Sequence, residues 1–250
     1  MRFEFQPIGL CRSPYTDKFG IPRQPRLVTA AEARIELLAP YDREEAFAGL
    51  EGFSHVWLLF VFHQDCLEAG WRAQVRPPRL GGRDKVGVFA SRSPYRPNPI
   101  GISAVAQHGL ERQGKGQGKG LALRIAGADL LDGTPILDIK PYVPYADAIA
   151  DAEGGFANTP PQARFQVGFS EDAQRQLAEQ DADGRLRLRA LIEEVIAQDP
   201  RPGYMDRYPE RRVFVLQLYA LEIHWWIDGE RALVTRVHPV QPATGSKTGL

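Results

Sequence analysis

Through its first 150 residues the chain lays down one short β signal after another, with no long helical stretch between them. The candidates are 3–10, 33–37, 55–62, 85–89, 102–110, 121–126 and 135–139, most of them bounded by Gly, Pro or Asp. Residues 121–126 alternate apolar with small or charged side chains, as a half-buried antiparallel strand does. Only 41–50 reads as a short helix. A doubly wound parallel sheet needs a helix between successive strands, so this half of the chain predicts a closed or nearly closed β-barrel of non-Rossmann type.

The pattern changes after residues 151–161, Asp-Ala-Glu-Gly-Gly-Phe-Ala-Asn-Thr-Pro-Pro, which read as a linker. Ser170 followed by Glu171 and Asp172 is a helix start leading into 173–179. In 186–198, Leu188, Leu191, Ile192 and Val195 fall on one helical face, and Pro200 and Pro202 stop the helix. Strands are expected at 212–218, 221–227 and 232–240, the last two joined through Asp228-Gly229-Glu230. The organisation predicted is mainly β: a barrel over 1–150, a linker over 151–163 and a small α+β domain over 164–250.

Net charge is +0 over 250 residues, so a nucleic-acid partner has to be met by a local patch. Such a patch exists. Residues 71–100 hold Arg72, Arg76, Arg79, Arg83, Lys85, Arg92 and Arg96 against the single acid Asp84. Charges of this kind supply most sequence-independent affinity for nucleic acid, and that affinity falls steeply with salt. The patch ends in Ser91-Arg92-Ser93-Pro94-Tyr95-Arg96-Pro97-Asn98-Pro99-Ile100-Gly101, where three ring-locked prolines predict a stiff, extended rack carrying polar side chains. Tyr95 is placed to stack on an unpaired base.

Three other segments carry candidate chemistry. Pro22-Arg23-Gln24-Pro25-Arg26 fixes an amide and two guanidiniums between prolines. Phe60-Val61-Phe62-His63-Gln64-Asp65 ends an aromatic strand in polar groups. In the strand after Asp132-Gly133-Thr134-Pro135, Asp138, Lys140 and Tyr142 share one face, offering a general base beside a cation or a plain surface ion pair. The two cysteines, Cys11 and Cys66, have no CxxC spacing. The five histidines form no close pair on a helix, so neither a disulfide scaffold nor a metal site is expected. There is no GxGxxG after a strand, no P-loop and no GxSxG. No apolar run reaches the length of a membrane span, and the N-terminus lacks a secretion signal, so a cytoplasmic protein is expected.

The rack at 89–101 and the block Asp129-Leu130-Leu131-Asp132-Gly133-Thr134-Pro135-Ile136-Leu137-Asp138-Ile139-Lys140-Pro141-Tyr142 resemble the TrmO (YaeB-like) tRNA methyltransferase family. Pro22-Arg23-Gln24, Gly52-Phe53-Ser54-His55-Val56-Trp57 and Phe62-His63-Gln64 are similar to its other blocks, and the likeness covers the whole chain, including 199–204 of the C-terminal domain, which is expected to support tRNA binding with Arg201, Arg207, Arg211 and Arg212. The resemblance implies an S-adenosyl-L-methionine-dependent β-barrel enzyme that methylates N6 of threonylcarbamoyl-adenosine at position 37, in the anticodon stem-loop of tRNA, and acts as a homodimer without membrane or metal. It implies that Pro22, Arg23, Gln24, His63, Gln64, Arg92, Asp129, Leu130, Leu131 and Asp132 line the cofactor site. Asp138, Lys140 and Tyr142 would then lie near the reacting base, as the catalytic set. Facing Tyr95, Arg96 and Asn98 to the RNA is an inference from the loop itself. The rival readings are an RNA-binding barrel without catalysis and an enzyme acting on a small metabolite.

Overall fold

The computed structural model describes residues 3–64, 69–82, 84–113, 120–202, 205, 208 and 210–240. Cys66, Arg83, Arg207 and most of the Gly-Lys run at 114–120 lie outside them. Along the chain come β1 (Gly9–Arg12), β2 (Glu32–Leu37), β3 (His55–Val61), β4 (Gln74–Val75), β5 (Val86–Gly87), β6 (Ile100–Arg112), β7 (Leu121–Ala126) and β8 (Pro135–Pro141). There follow a single turn of helix α1 (Pro144–Asp147), β9 (Gln166–Phe169), α2 (Glu171–Gln180), α3 (Leu188–Ala197), β10 (Val213–Leu218), β11 (Leu221–Asp228) and β12 (Arg231–Pro239).

The expected barrel is present. Six antiparallel strands close in the order β1-β2-β7-β6-β3-β8. The two-residue side-chain period decides what fills it. Val56, Leu58 and Phe60 of β3 point inward, with Cys11, Ile35, Leu123, Ile125, Val105 and Ile136 from the other strands. Closure between β1 and β8 pairs Gly9 with Ile136 and Leu10 with Pro135, and the Ile8 and Cys11 N–H groups donate to the Ile136 and Thr134 carbonyls on either side. Gly9 is needed there, because a Cβ would come within 2.8 Å of the Glu36 carbonyl oxygen.

Several boundaries differ from those expected. The first strand begins at Gly9 rather than at residue 3, because Pro7 has no N–H for a ladder. The helix expected at 41–50 is two 3-10 turns, Glu44–Phe47 and Leu50–Gly52, split by Gly49 at φ 88°. The strand expected at 85–89 stops after Gly87 and becomes a 3-10 turn. Strand β6 runs the other way, extending to Arg112 through a bulge at Gly109, φ 81°.

In the second half, the Ser170 Oγ accepts from the Ala173 N–H at 3.2 Å and caps α2 as its sequence suggests. The α3 face Leu188, Leu191, Ile192, Val195 and Ile196 is buried. Sheet order is β10-β11-β12-β9, with β9 parallel to β12. Strand β9 has only four residues and a glycine, so periodicity does not reveal it. No described helix is long and apolar enough to cross a membrane.

The β1–β2 connection, residues 13–31, belongs to this second core. Tyr15, Val28, Ala30 and Ala31 are buried in one apolar cluster with Leu191, Ile223 and Trp225. Polar contacts fix the joint. The Tyr219 N–H donates to the Pro14 carbonyl at 2.7 Å, and the Glu194 carboxylate accepts from the Ala30 N–H at 3.0 Å. The loop carrying Pro22, Arg23 and Gln24 is therefore held from both sides.

Candidate active site

Four loops meet at one end of the barrel: the 13–31 connection, the end of β3, the rack, and the turn between β7 and β8. The β7–β8 turn is fixed by backbone and hydroxyl bonds. Ser13 Oγ donates to the Leu130 carbonyl at 2.6 Å, and the Ser13 N–H donates to Asp132 Oδ1 at 3.0 Å. The Asp132 and Gly133 N–H groups donate to the Tyr15 and Cys11 carbonyls, each at 2.8 Å. Gly133 takes φ 79°, which explains a glycine after Asp132. Leu130 is buried and anchors the turn, while the Leu131 carbonyl accepts from the Thr134 hydroxyl at 2.7 Å.

Asp129 opens this turn. Ser103, buried inside the barrel on β6, donates its hydroxyl to Asp129 Oδ1 at 2.5 Å. Burial pushes the Asp129 carboxyl up to about 6, against that hydrogen bond and the nearby Arg92 charge. Arg92 donates Nη1–H to Gln24 Oε1 at 2.9 Å. Gln24, Arg92 and Asp129, far apart in sequence, thus form one polar cluster. His63 stands beyond the end of β3, with Nδ1 3.4 Å from Thr134 Oγ1. Burial lowers its pKa, so the ring is neutral at pH 7 despite its hydrogen bond to the Asp132 backbone. Gln64 is exposed at φ 60°, Arg23 is exposed and Pro22 is buried. Pro22 and Arg23 also line a cleft of about 410 Å³ whose far wall is Asp199, Pro200 and Arg201.

The rack is not a straight rod. The Arg96 N–H donates to the Pro94 carbonyl and the Ile100 N–H to the Asn98 carbonyl, each at 2.7 Å, so two three-residue turns bend it. The Arg96 guanidinium reaches back to the Val88 and Ser91 carbonyls at 3.1 and 2.7 Å. Through Nη1 it braces the loop against the turn at 88–91. One face of Tyr95 is covered by the Arg72 guanidinium, 4.4 Å from the ring centroid, and the Asn98 side chain is exposed. The rack is joined to β3 by the Phe62 N–H donating to the Pro99 carbonyl at 2.8 Å. Arg201 is 11% exposed and bonds Asp199 through Nε and Nη2.

Asp138, Lys140 and Tyr142 lie along β8 on the outside of the barrel. Lys140 Nζ is 2.8 Å from Asp138 Oδ2, and Asp138 Oδ1 accepts from the Ile139 N–H at 2.9 Å. Tyr142 packs on Trp57 and His55, with centroids 5.5 and 6.4 Å apart. At about 3.3 Å per residue, Asp138 is ~13 Å along β8 from Thr134 and Tyr142 is ~26 Å. The two expected groups therefore occupy different parts of one subunit. Asp138 also borders a recess of about 540 Å³ walled by Tyr41, Phe47, Phe53 and Pro141.

Sequence reasoning missed Ser103. Its signal was a hydroxyl at an inward position in the apolar first half of β6. Arg72 gave no signal beyond its charge.

Two family models match this chain: the tRNA-methyltransferase O N-terminal domain over residues 10–148 and the TrmO C-terminal domain over 162–240. The chain belongs to the TrmO family. An Escherichia coli relative named tRNA (adenine(37)-N6)-methyltransferase is 44% identical over 223 residues, covering 89% of this chain and 92% of the relative. A Pseudomonas aeruginosa relative, provisionally named an S-adenosylmethionine-dependent methyltransferase, is 51% identical over 90% of this chain and 93% of its own. A crystal structure of TrmO from Pseudomonas aeruginosa superposes with TM-score 0.75 at 44% identity, covering 95% of this chain and 98% of that one. The barrel end bearing Gln24, Arg92 and Asp129 and the Asp138–Lys140 pair on β8 both fall within the TrmO N-terminal match.

Proposed function

We propose that this TrmO-family chain methylates N6 of threonylcarbamoyl-adenosine at position 37 of tRNA, using S-adenosylmethionine and acting as a homodimer. That it is a methyltransferase enzyme follows from its family; the modified base, the dimer and the residue roles are our reading. The observation that carries it is the convergence of Gln24, Arg92, Asp129 and His63 at one barrel end. Bound there, S-adenosylmethionine supplies an electrophilic methyl group on a sulfonium. The donor set fits such a ligand. The Asp129 carboxylate offsets positive charge, Arg92 pairs with a carboxylate, and neutral His63 with the backbone of the 129–134 turn serves uncharged polar edges.

The acceptor nitrogen is urea-like, and its lone pair is delocalised until the proton leaves. Asp138 is the base in this reading. Lys140, 2.8 Å away, stabilises the carboxylate before the proton moves and the acceptor anion after it. Arg72, Arg76, Lys85, Arg92 and Arg96 give the adjoining loops the positive charge that an anticodon stem-loop requires.

Methyl transfer needs reacting atoms about 3–3.5 Å apart, whereas Asp138 and Thr134 are separated by several residues of strand. The outer face of β3 and β6 beside Asp138 presents exposed Ile100 and Ile102 next to Leu59 and Val61, with Phe89 75% exposed nearby. A second copy seated on that apolar face would complete the site between subunits.

The Asp138→Asn variant tests the base. Cofactor affinity is expected to stay within about twofold of the parent, while turnover on threonylcarbamoylated tRNA falls about 100-fold or more. Parental turnover in that variant would remove Asp138 from the mechanism.

A further inference from the structure

The histidines show no metal-ligand spacing along the sequence, but the C-terminal sheet brings two of them together with a carboxylate. We propose that Glu222, His224 and His238 form a binding site for a zinc-class transition-metal ion on the outer face of that sheet. Among the described residues they are the one group of His, Cys, Asp or Glu whose ligand atoms converge in this way.

The sheet explains the convergence. Glu222 and His238 are register partners on β11 and β12, and His224 lies two residues along β11 on the same face. A register shift between His224 and Trp225 turns the strand locally. The alternating residues Ile223, Trp225 and Val237 are buried in the core beneath, so the backbone carrying the three ligands is fixed. Their side chains are 27–31% exposed, open enough for an ion to enter and covered enough to be oriented.

The atoms meet at one point. His224 Nε2 and His238 Nε2 are 3.0 Å apart, and Glu222 Oε2 is 3.7 Å from the first and 3.9 Å from the second. The nearest equidistant point lies in the plane of the three atoms, about 2.1 Å from each, close to the Zn–N and Zn–O bond lengths, and a small outward shift of the ion makes room for a fourth, solvent ligand. The His238 Nδ1 is 3.0 Å from the Pro239 carbonyl. A proton donated there leaves Nε2 as a lone pair, the outer-shell arrangement that orients a metal-binding imidazole.

In the metal-free chain the two ring nitrogens share one proton in a hydrogen bond at 3.0 Å; an ion would replace that proton and draw in the Glu222 carboxylate oxygen. Two imidazoles and one carboxylate suit zinc, whereas calcium and magnesium take oxygen ligands. At least one coordination position faces solvent, and the ion would tie β11 to β12 outside the core that holds the 13–31 loop.

The test uses the full chain, stripped of metal with a chelator and dialysed. Zinc chloride is titrated by calorimetry, and cobalt(II) is followed by its visible absorption as an independent probe. One equivalent per chain is expected, with a tetrahedral cobalt spectrum and a zinc-dependent rise in Tm. His224→Ala and His238→Ala are each expected to weaken zinc binding about 100-fold and abolish the cobalt bands. His108→Ala, at an exposed position on β6, should change neither. Circular dichroism establishes that each variant is folded, and Glu222→Gln, which keeps the shape of the carboxylate, decides the matter if a histidine variant is not. Absence of stoichiometric zinc binding, or binding undiminished in folded His238→Ala and Glu222→Gln, would overturn the site.

Discussion

Asp129 shows what burying a carboxyl costs the free protein. Its carboxyl is pushed up from 3.8 to about 6, first by burial. The folded state therefore binds more protons than the unfolded state between those values. The associated stability is fully present below pH ~4 and lost as pH rises through about 6, a cost of at most about 3 kcal/mol at pH 7. A positively charged ligand favours the carboxylate and reverses that preference. Affinity for S-adenosylmethionine is thus expected to fall as pH drops below about 6, by up to about tenfold per unit. Asp129→Asn should flatten this profile and weaken binding, yet raise the Tm of the free protein above pH 6, because the amide still accepts from Ser103 and carries no buried charge. Calorimetric titration from pH 5 to 7.5, with thermal melts, reads both. A lower Tm for the variant at pH 7.5 would contradict this account. The buried position of Asp129 was not legible in sequence: its segment drew attention through the acid and base on β8, and resemblance alone assigned Asp129 to the cofactor. The partner that matters, Ser103, is twenty-six residues away.

At the scale of elements, short apolar runs bounded by Gly, Pro or Asp were enough to find all six barrel strands, although 121–126, read as half-buried by alternation, is buried except at Arg124. Such patterning failed where backbone hydrogen bonding outweighed side-chain pattern. The rack is the clearest case, because proline fixes φ but leaves ψ free, and the two turns at 94–96 and 98–100 bend what ring constraint alone would extend. Strand β9 escaped because four residues hold too few alternations to count. Gly101, at the junction of rack and β6, joins the two levels. A Cβ there would lie 2.3 Å from the Phe60 ring, which fills the barrel directly below. Gly101→Ala is therefore expected to destabilise by about 1–3 kcal/mol, as overpacking in a core does. Because β6 carries Ser103 two residues on, it should also weaken cofactor binding. Denaturant unfolding and cofactor titration measure the two effects, and an unchanged midpoint would mean that Phe60 has room to move.

For the whole molecule, the linker at 151–163 separates a barrel from an α+β unit along the chain, and the 13–31 loop joins the two in space. Tyr15, Val28, Ala30 and Ala31 leave the barrel's sequence range to enter the second core, and Glu194 and Tyr219 bind the same loop through backbone groups. No local pattern announces this, because the loop's apolar residues have no period and their partners lie about 140–220 residues downstream. The arrangement places Pro22, Arg23 and Gln24 under control of the C-terminal half, with Asp199, Pro200 and Arg201 across the cleft. Gln24 in turn holds Arg92 beside Asp129, where we propose the cofactor binds. A chain cut to residues 1–150 would expose four buried apolar side chains and release that loop. We expect it to aggregate or, where soluble, to bind S-adenosylmethionine about tenfold or more weakly, whereas the full chain unfolds in one cooperative transition followed identically by tryptophan fluorescence and circular dichroism. Two separated transitions in the full chain, or parental cofactor affinity in the truncated one, would mean that the loop keeps its shape without its second core and that the C-terminal half serves RNA alone.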